Sequence, residues 1–178
     1  MIARGRLNLS DFEIRTLNAS DQHWVAALLA EHWGAPIVIA KRQIYHADQL
    51  SGFAAIKDNQ PVGLVTYCIE KEEGILVSLD NLVEGIGIGT ELIKAVKTAA
   101  CLAGCKCLTL ITTNDNTHAL RFYQKRGFVL KALYANTLEQ SRKLKPQIPL
   151  TGIDGIPLRD EIELELALVK EDEEENIS

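Results

Sequence analysis

Two stretches of this chain combine residue types that can do chemistry. The first is Glu84-Gly85-Ile86-Gly87-Ile88-Gly89-Thr90. Glycines at alternate positions let the backbone approach a ligand closely. Where such a loop opens a helix, the first N–H groups lack intrahelical partners, and with the helix dipole they suit a phosphate or pyrophosphate. By itself the pattern also fits a flexible turn. Two familiar phosphate loops do not match. The lysine of G-x-x-x-x-G-K-[ST] is missing. The third glycine of G-x-G-x-x-G comes one residue early, and a meander rather than a βαβ unit precedes it. The second stretch runs from Asn114 to Phe128, with Asn116, the pair Phe122-Tyr123 and the closing Gly127. Asp80, Glu84, Asp115 and His118 are the titratable groups nearby in sequence. The four cysteines, Cys68, Cys101, Cys105 and Cys107, form no paired C-x2-C knuckle and have no histidine close by. They predict buried, reduced small hydrophobes and no metal site.

The elements that must position these residues follow from periodicity. Phe12 to Leu17 reads as a strand. Ser20 is the expected N-cap of a helix whose stripe is Trp24, Val25, Leu28, Leu29 and Trp33, stopped by Gly34 and Pro36. Ile37 to Tyr45 is β-rich and ambiguous. Phe53–Ile56, Val62–Ile69 and Ile75–Leu79, joined by turns at 58–61 and 71–74, form an antiparallel meander. The glycine loop leads into a helix ending near Gly104. Cys107–Ile111 is a strand, Thr117–Arg126 a helix, Phe128–Leu133 a strand, and Thr137–Lys145 a short helix stopped by Pro146. Glu161 to Leu168 alternates glutamate with aliphatic residues, the pattern of a half-buried strand. This is a mixed α/β, or α+β, single domain over residues 1–170. The acidic run at 171–178 predicts a solvated, disordered tail.

Composition narrows the function classes. The 178 residues are 47% apolar and 24% charged, which suits a folded domain rather than a disordered chain. The net charge of −5 argues against a nucleic-acid binder. No apolar run is long enough for a membrane span, and no apolar core follows the basic residues near the N-terminus. A cytoplasmic location is expected, with neither membrane nor nucleic acid as partner.

Together, Glu84 to Leu92 and Asn114 to Phe128 resemble the GNAT superfamily of acyl-CoA N-acetyltransferases. Its members carry Q/R-x-x-G-x-G/A before one helix and, about one strand later, N-x-x-A-x-x-F-Y-x-x-x-G-F. The likeness spans roughly residues 12 to 135. A branch with a long insert before the last strand is suggested by the segment through Asp160-Glu161-Ile162-Glu163-Leu164-Glu165. The resemblance implies a mostly antiparallel central sheet flanked by helices, and acetyl-CoA as acetyl donor to an amine acceptor. Backbone groups of Gly85, Gly87, Ile88, Gly89 and Thr90 would hold the pyrophosphate. The backbone at Ser78 and Leu79 would pair with the pantetheine arm, Asn116 would bond the arm, and Tyr123 would stand near the thioester sulfur. Phe122 faces another way and reads as core.

The chemistry asks for a neutral amine, a donor for the tetrahedral oxyanion, and a proton for the thiolate. An N–H near Leu79 suits the oxyanion. By resemblance Tyr123 is the general acid, and its ordinary pKa of about 10 keeps it protonated. Asp80 is the choice of base, with relay through water equally open. Glu84 departs from the usual Gln or Arg and would repel a pyrophosphate unless it points to solvent or Lys94, Lys125 or Arg126 compensates. It and the open choice of base are the best support for a competing reading, a non-catalytic acyl-CoA-binding regulatory module. The insert between the last strands, residues 134–159, carries Arg142, Lys143, Lys145 and Arg159. It is either a solvated basic face or a cover that selects an anionic acceptor or caps the cofactor. The identity of the amine stays open, as does a homodimer.

Overall fold

A computed structural model describes residues 12–168; the acidic run at 171–178 and the start of the chain lie outside the described residues. In chain order the elements are β1 (Glu13–Thr16), α1 (Gln22–Trp33), β2 (Ile37–Ala40), β3 (Gln43–His46), β4 (Ser51–Lys57), β5 (Gln60–Glu70) and β6 (Glu73–Asn81). There follow α2 (Ile88–Leu102), β7 (Cys107–Thr113), α3 (Thr117–Gln124), β8 (Val129–Tyr134), α4 (Thr137–Leu144) and β9 (Glu161–Ala167). Seven strands form one sheet in the order β1-β4-β5-β6-β7-β9-β8. Only the β6–β7 pair in it is parallel. The ambiguous segment after α1 is a separate hairpin, with Ile37 opposite His46 and Ala40 opposite Gln43.

Both faces of the sheet are covered. Leu92, Val96 and Ala100 of α2 pack on Leu76, Leu108 and Leu164. On the other face Val25 and Leu29 of α1 pack with Leu64 and Val38. Burying these side chains is the main stabilising term. Helix α1 begins differently from the sequence reading. Ser20 is not its cap: a 3-10 turn over Ala19–Asp21 comes first, capped by Asn18, whose side chain accepts from the Ser20 N–H at 2.9 Å while the Asn18 N–H donates to Asp21 at 2.9 Å, and Asp21 then stands at the N-cap of α1 without a side-chain cap bond. Asp21 also binds the Arg15 guanidinium at 2.7 Å and the Trp24 indole at 2.8 Å, which fastens α1 to β1. The cysteines are all free, but Cys101 is exposed on α2 and only Cys105 is fully buried. Among the described residues no group of side chains could hold a metal ion, and no helix is long and apolar enough to cross a membrane.

Two irregularities in β6 shape everything that follows. Thr66 of β5 faces Ser78 and Tyr67 faces Leu76, so Val77 is an extra residue on β6. Such a bulge exchanges the faces of the residues beyond it. Before the bulge Gly74 lies under Ala100 of α2. Beyond it Asp80 points to the opposite face and meets α1. The second irregularity is that β6 and β7 pair only from Glu73/Cys107 to Leu76/Leu110. Past Leu76 the strands part, while β5 still pairs with β6 as far as Asn81. The result is a wedge in the middle of the sheet, with the β7-facing edge of Val77–Asn81 unpaired.

The insert folds back over the α1 face. Asn114 Oδ1 accepts the N–H groups of Arg159 and Asp160 at 3.0 and 2.9 Å, and its Nδ2 donates to the Pro157 carbonyl. Asp115 accepts the Ile153 N–H at 2.8 Å. Lys145 is buried, and its ammonium donates to the carbonyls of Trp33 and Ile37 at 2.6 and 2.9 Å. Arg142 donates to the carbonyls of Ile148, Pro149 and Leu158. The basic residues of the insert therefore divide: Arg142 and Lys145 brace it by donating to backbone carbonyls, whereas Lys143 is exposed and Arg159, also exposed, is paired with Asp160 at 2.9 Å.

Candidate active site

Helix α2 starts at Ile88, two residues earlier than the glycine pattern suggests, so Ile88, Gly89 and Thr90 are already helical. Gly85 and Gly87 have φ of +80° and +84°, and nothing lies within 4 Å of a Cβ placed on either. These two glycines are required by backbone conformation. Gly89 is required by space instead: a Cβ there would sit 2.8 Å from Asn81 Nδ2 and 2.9 Å from Phe122 Cζ. The Thr90 N–H is turned back to the Gly87 carbonyl at 3.1 Å. Among the described residues the N–H groups of Gly85 to Gly89 have no acceptor. Such a free set can take an anion, whereas Thr90 has only its side chain to offer. Its hydroxyl accepts from Arg126 Nε and Nη2 at 3.0 and 2.7 Å.

Arg126 closes one side of a cleft of about 370 Å³ lined by Thr90, His118, Arg121, Phe122, Lys125 and Arg126 itself. Its guanidinium lies 3.4 Å over the Phe122 ring and donates to the Phe122 carbonyl, so a cation is fixed beside the start of α2. Glu84 is exposed and does not line this cleft. Of the cations that could offset it, Arg126 and Lys125 are in the cleft, while Lys94 is paired with Glu91 at 2.8 Å. The Phe122 ring is only partly buried, packing against the main core and under Arg126.

Tyr123 is 8% exposed and wedged edge-on between Phe122 and Phe128, with ring centroids 5.2 and 5.5 Å apart. Among the described residues its hydroxyl has no hydrogen-bond partner. Burial, and then the negative charge of Asp80, push its pKa well above the ordinary tyrosine value, with Arg126 opposing. The hydroxyl thus keeps its proton at any physiological pH. Asn116 caps α3 with Oδ1, which accepts the Ala119 N–H at 3.0 Å. Asn116 also lines a cavity on the other side of the wedge, with its Nδ2 unused. Ser78 contributes backbone only, because its hydroxyl is bonded to Thr66 Oγ1 at 2.7 Å inside the fold. Leu79 is half-buried against the core on the unpaired stretch of β6.

Asp80 is not a lone carboxylate. It is buried, with His32 Nδ1 2.9 Å from Oδ1 and the Trp33 indole N–H at 3.2 and 3.3 Å. Sequence reasoning missed this pair because α1 lies 48 residues before Asp80 and only the bulge at Val77 turns Asp80 toward it. Asp115, the other nearby carboxylate, is occupied by the Thr113 hydroxyl and the insert.

The cavity has a volume of about 320 Å³ and lies on the α1 face. Val77 and Ile111 on its floor border the wedge, Lys41 of the β2–β3 hairpin forms one side, and Leu138 and Ile148 of the insert cover it. Four glutamates, Glu70, Glu73, Glu161 and Glu163, are in its wall, against the ammonium groups of Lys41 and Lys145. The alternation in β9 predicts a half-buried strand, but Glu161 and Glu163 are 1% and 2% exposed, since the hairpin and insert cover that face as well. A predominantly acidic cavity does not fit the anionic acceptor that the basic insert suggested.

The sheet is thus split between two parallel strands, with a helix start of unpartnered N–H groups on one face and a cavity on the other. The model of the acetyltransferase (GNAT) family matches residues 14–128, and the chain belongs to this family. A protein of Bacillus subtilis (strain 168) called YxbD is 46% identical over 148 residues, which is 83% of this chain and 91% of that protein. Among solved structures, an IAA acetyltransferase from Bacillus cereus ATCC 14579 superposes with a TM-score of 0.69 at 20% identity, covering 88% of this chain and 99% of the other. A GNAT family acetyltransferase from Elizabethkingia anophelis, with acetyl-CoA bound, gives 0.66 at 20% identity over 89% and 99%.

Proposed function

We propose that this protein moves an acetyl group from acetyl-CoA to a primary amine by direct attack. The observation that carries the reading is a continuous path. Gly89, at the end of the row of unpartnered N–H groups, sits against Asn81 at one end of the unpaired edge of Val77–Asn81, and Val77 at the other end lines the cavity. In this reading the loop and Arg126 hold the pyrophosphate, and the backbone of Ser78 and Leu79 takes the pantetheine arm by strand addition. Asn116 Nδ2 supplies a further donor to the arm. The amine reaches the thioester carbon from the cavity.

The bond-making steps fall to a few groups. A backbone N–H near Leu79 stabilises the oxyanion that forms as the amine adds to the carbonyl. Collapse breaks the C–S bond, and Tyr123 gives its proton to the departing sulfur. Asp80 acts through His32. Its carboxylate fixes the imidazole with Nδ1–H inward, so that Nε2 is the acceptor for the proton the amine loses. This revises the choice of Asp80 as the base itself, because its oxygens are already engaged by His32 and Trp33. The non-catalytic alternative rested on Glu84, which is exposed and outside the cationic cleft.

The test follows free thiol with acetyl-CoA and an amine panel, beside thermal denaturation with acetyl-CoA alone. A ligand at about 100 times its Kd stabilises the native state by about 2.7 kcal/mol, so a rise in melting temperature of several degrees is expected. Thiol release with no amine dependence, or no thermal shift at millimolar acetyl-CoA, overturns the reading.

A further inference from the structure

We infer that the acceptor is an extended aliphatic di- or polyamine, its reactive amine seated beside Glu161 at the wedge and a second ammonium held by Glu70 and Glu73 at the far end of the cavity. The inference rests on the acetyl-transfer reading for what happens at the wedge, but the cation-binding part stands on the cavity itself.

Register gives the spacing. Glu161 faces Thr113 on the splayed end of β7, while Glu73 faces Cys107 at its other end and accepts the Thr109 hydroxyl. Thr109 and Thr113 are four residues apart on one strand, or about 13 Å at roughly 3.3 Å per residue. That separation matches two nitrogens at the ends of a chain of about ten atoms. The volume of about 320 Å³ suits a small molecule rather than a through-running polypeptide.

The charges are not already balanced. Glu163 is used up internally: Oε1 meets Lys41 Nζ at 3.2 Å and Oε2 accepts the Tyr134 hydroxyl. Lys145 spends its donors on carbonyls of Trp33 and Ile37. Glu161 is different. Oε2 accepts the Lys41 N–H at 3.0 Å, but Oε1 has no donor among the described residues, although the residue is 1% exposed. Among the described residues no side-chain nitrogen or oxygen is both fully buried and without a hydrogen-bond partner, and Glu161 lines the cavity, so that oxygen opens on it. Burial raises the pKa of this carboxyl, and a cation beside it would lower it again. At the other end Glu70 has one oxygen on Gln43 and Glu73 one on Thr109, leaving an oxygen on each for an ammonium.

The experiment compares 1,8-diaminooctane and spermidine with octylamine, by calorimetric binding to the protein without donor and by thiol release with acetyl-CoA. Both diamine-type ligands should bind and turn over with kcat/KM at least about tenfold above the monoamine, the scale of one charge-assisted contact. The variant Glu70→Gln/Glu73→Gln changes residues at the β5–β6 turn, outside the core. It should reduce the diamine kcat/KM to the level of octylamine, and Glu161→Gln should weaken binding of all three. Equal affinity for monoamine and diamine in the wild type, or unchanged discrimination in the double variant, overturns the inference. If the diamines bind selectively but no amine releases thiol, the cation site stands and the acetyl-transfer reading fails.

Discussion

Tyr123 is held by its ring and free at its hydroxyl. Phe122 and Phe128 fix the ring edge-on, and no described residue takes the proton. Tyr123→Phe therefore keeps the packing and removes only the donor. Turnover should fall about 10²-fold with little change in acetyl-CoA affinity, if the hydroxyl protonates the leaving sulfur. Unchanged kcat would leave the residue a packing element. His32 and Asp80 call for a different design, because two residues acting as one unit are not additive. His32→Gln and Asp80→Asn should each cost about 10²-fold in kcat, and the double variant no more than the larger single loss. Losses that multiply would mean that the two act separately, and a fully active His32→Gln would remove the imidazole from the reaction. The pair is 2.9 Å apart and within reach of the wedge only because Asp80 follows the extra residue in β6.

At the scale of elements, the insert is tied to the start of α3 by the same asparagine-aspartate run that marks the cofactor motif. Asp115 is 4% exposed and accepts the Thr113 hydroxyl and the Ile153 N–H. A Cβ at Gly152 would lie 2.0 Å from Asp115 Oδ2. Asp115→Ala leaves a buried donor unmatched and Gly152→Ala drives the loop off its anchor. Each should lower stability by about 1–3 kcal/mol and speed amide exchange at Ile153. Exchange at Ile153 as slow as in the wild type would mean that the insert is held by Arg142 and Lys145 without this clamp. Local pattern made several elements legible. The glycine loop, the Asn116–Tyr123 helix and the β4–β6 meander can be read from residues a few positions apart. The wedge could not be read that way, since it depends on the register of β6 against β7, strands separated by a helix. Nor could the alternation in β9 say which of its faces is covered. Glu161 and Glu163 look like solvent positions until the β2–β3 hairpin and the insert are folded over them. Arg142 likewise reads as surface charge from composition, and becomes half-buried because the loop carbonyls of 148, 149 and 158 gather its donors. The signal that could have located the cavity was present as two like charges on one strand face opposite a cationic insert.

For the whole molecule, the buried carboxylates pull the pH dependence of stability in two directions. Asp21 is held far below its usual pKa by the Arg15 guanidinium first, and by Trp24 and the Asn18 N–H; Asp160 is lowered by Arg159 and the Asn136 N–H. For such groups the unfolded chain takes up protons first, so their stabilisation is present above about pH 4 and lost as pH falls below it. Glu161 has the opposite sign. Burial raises its folded-state pKa above the unfolded value, outweighing the Lys41 N–H and ammonium. Its contribution is complete below the unfolded value of about 4.3 and is lost as pH rises through the raised folded value. At neutral pH this buried carboxyl therefore weakens the fold, which is the expected trade where a residue is kept for binding rather than for stability. Glu161→Gln keeps an acceptor for the Lys41 N–H and removes the charge. Its melting temperature should exceed that of the wild type at pH 7.5, and the two should converge near pH 4, where the wild-type carboxyl is protonated as well. Saturating diamine should raise the wild type toward the variant at pH 7.5 and have little effect on Glu161→Gln. A variant less stable than the wild type at pH 7.5 would mean that the Lys41 contacts outweigh burial, and that Glu161 is already neutralised by the fold.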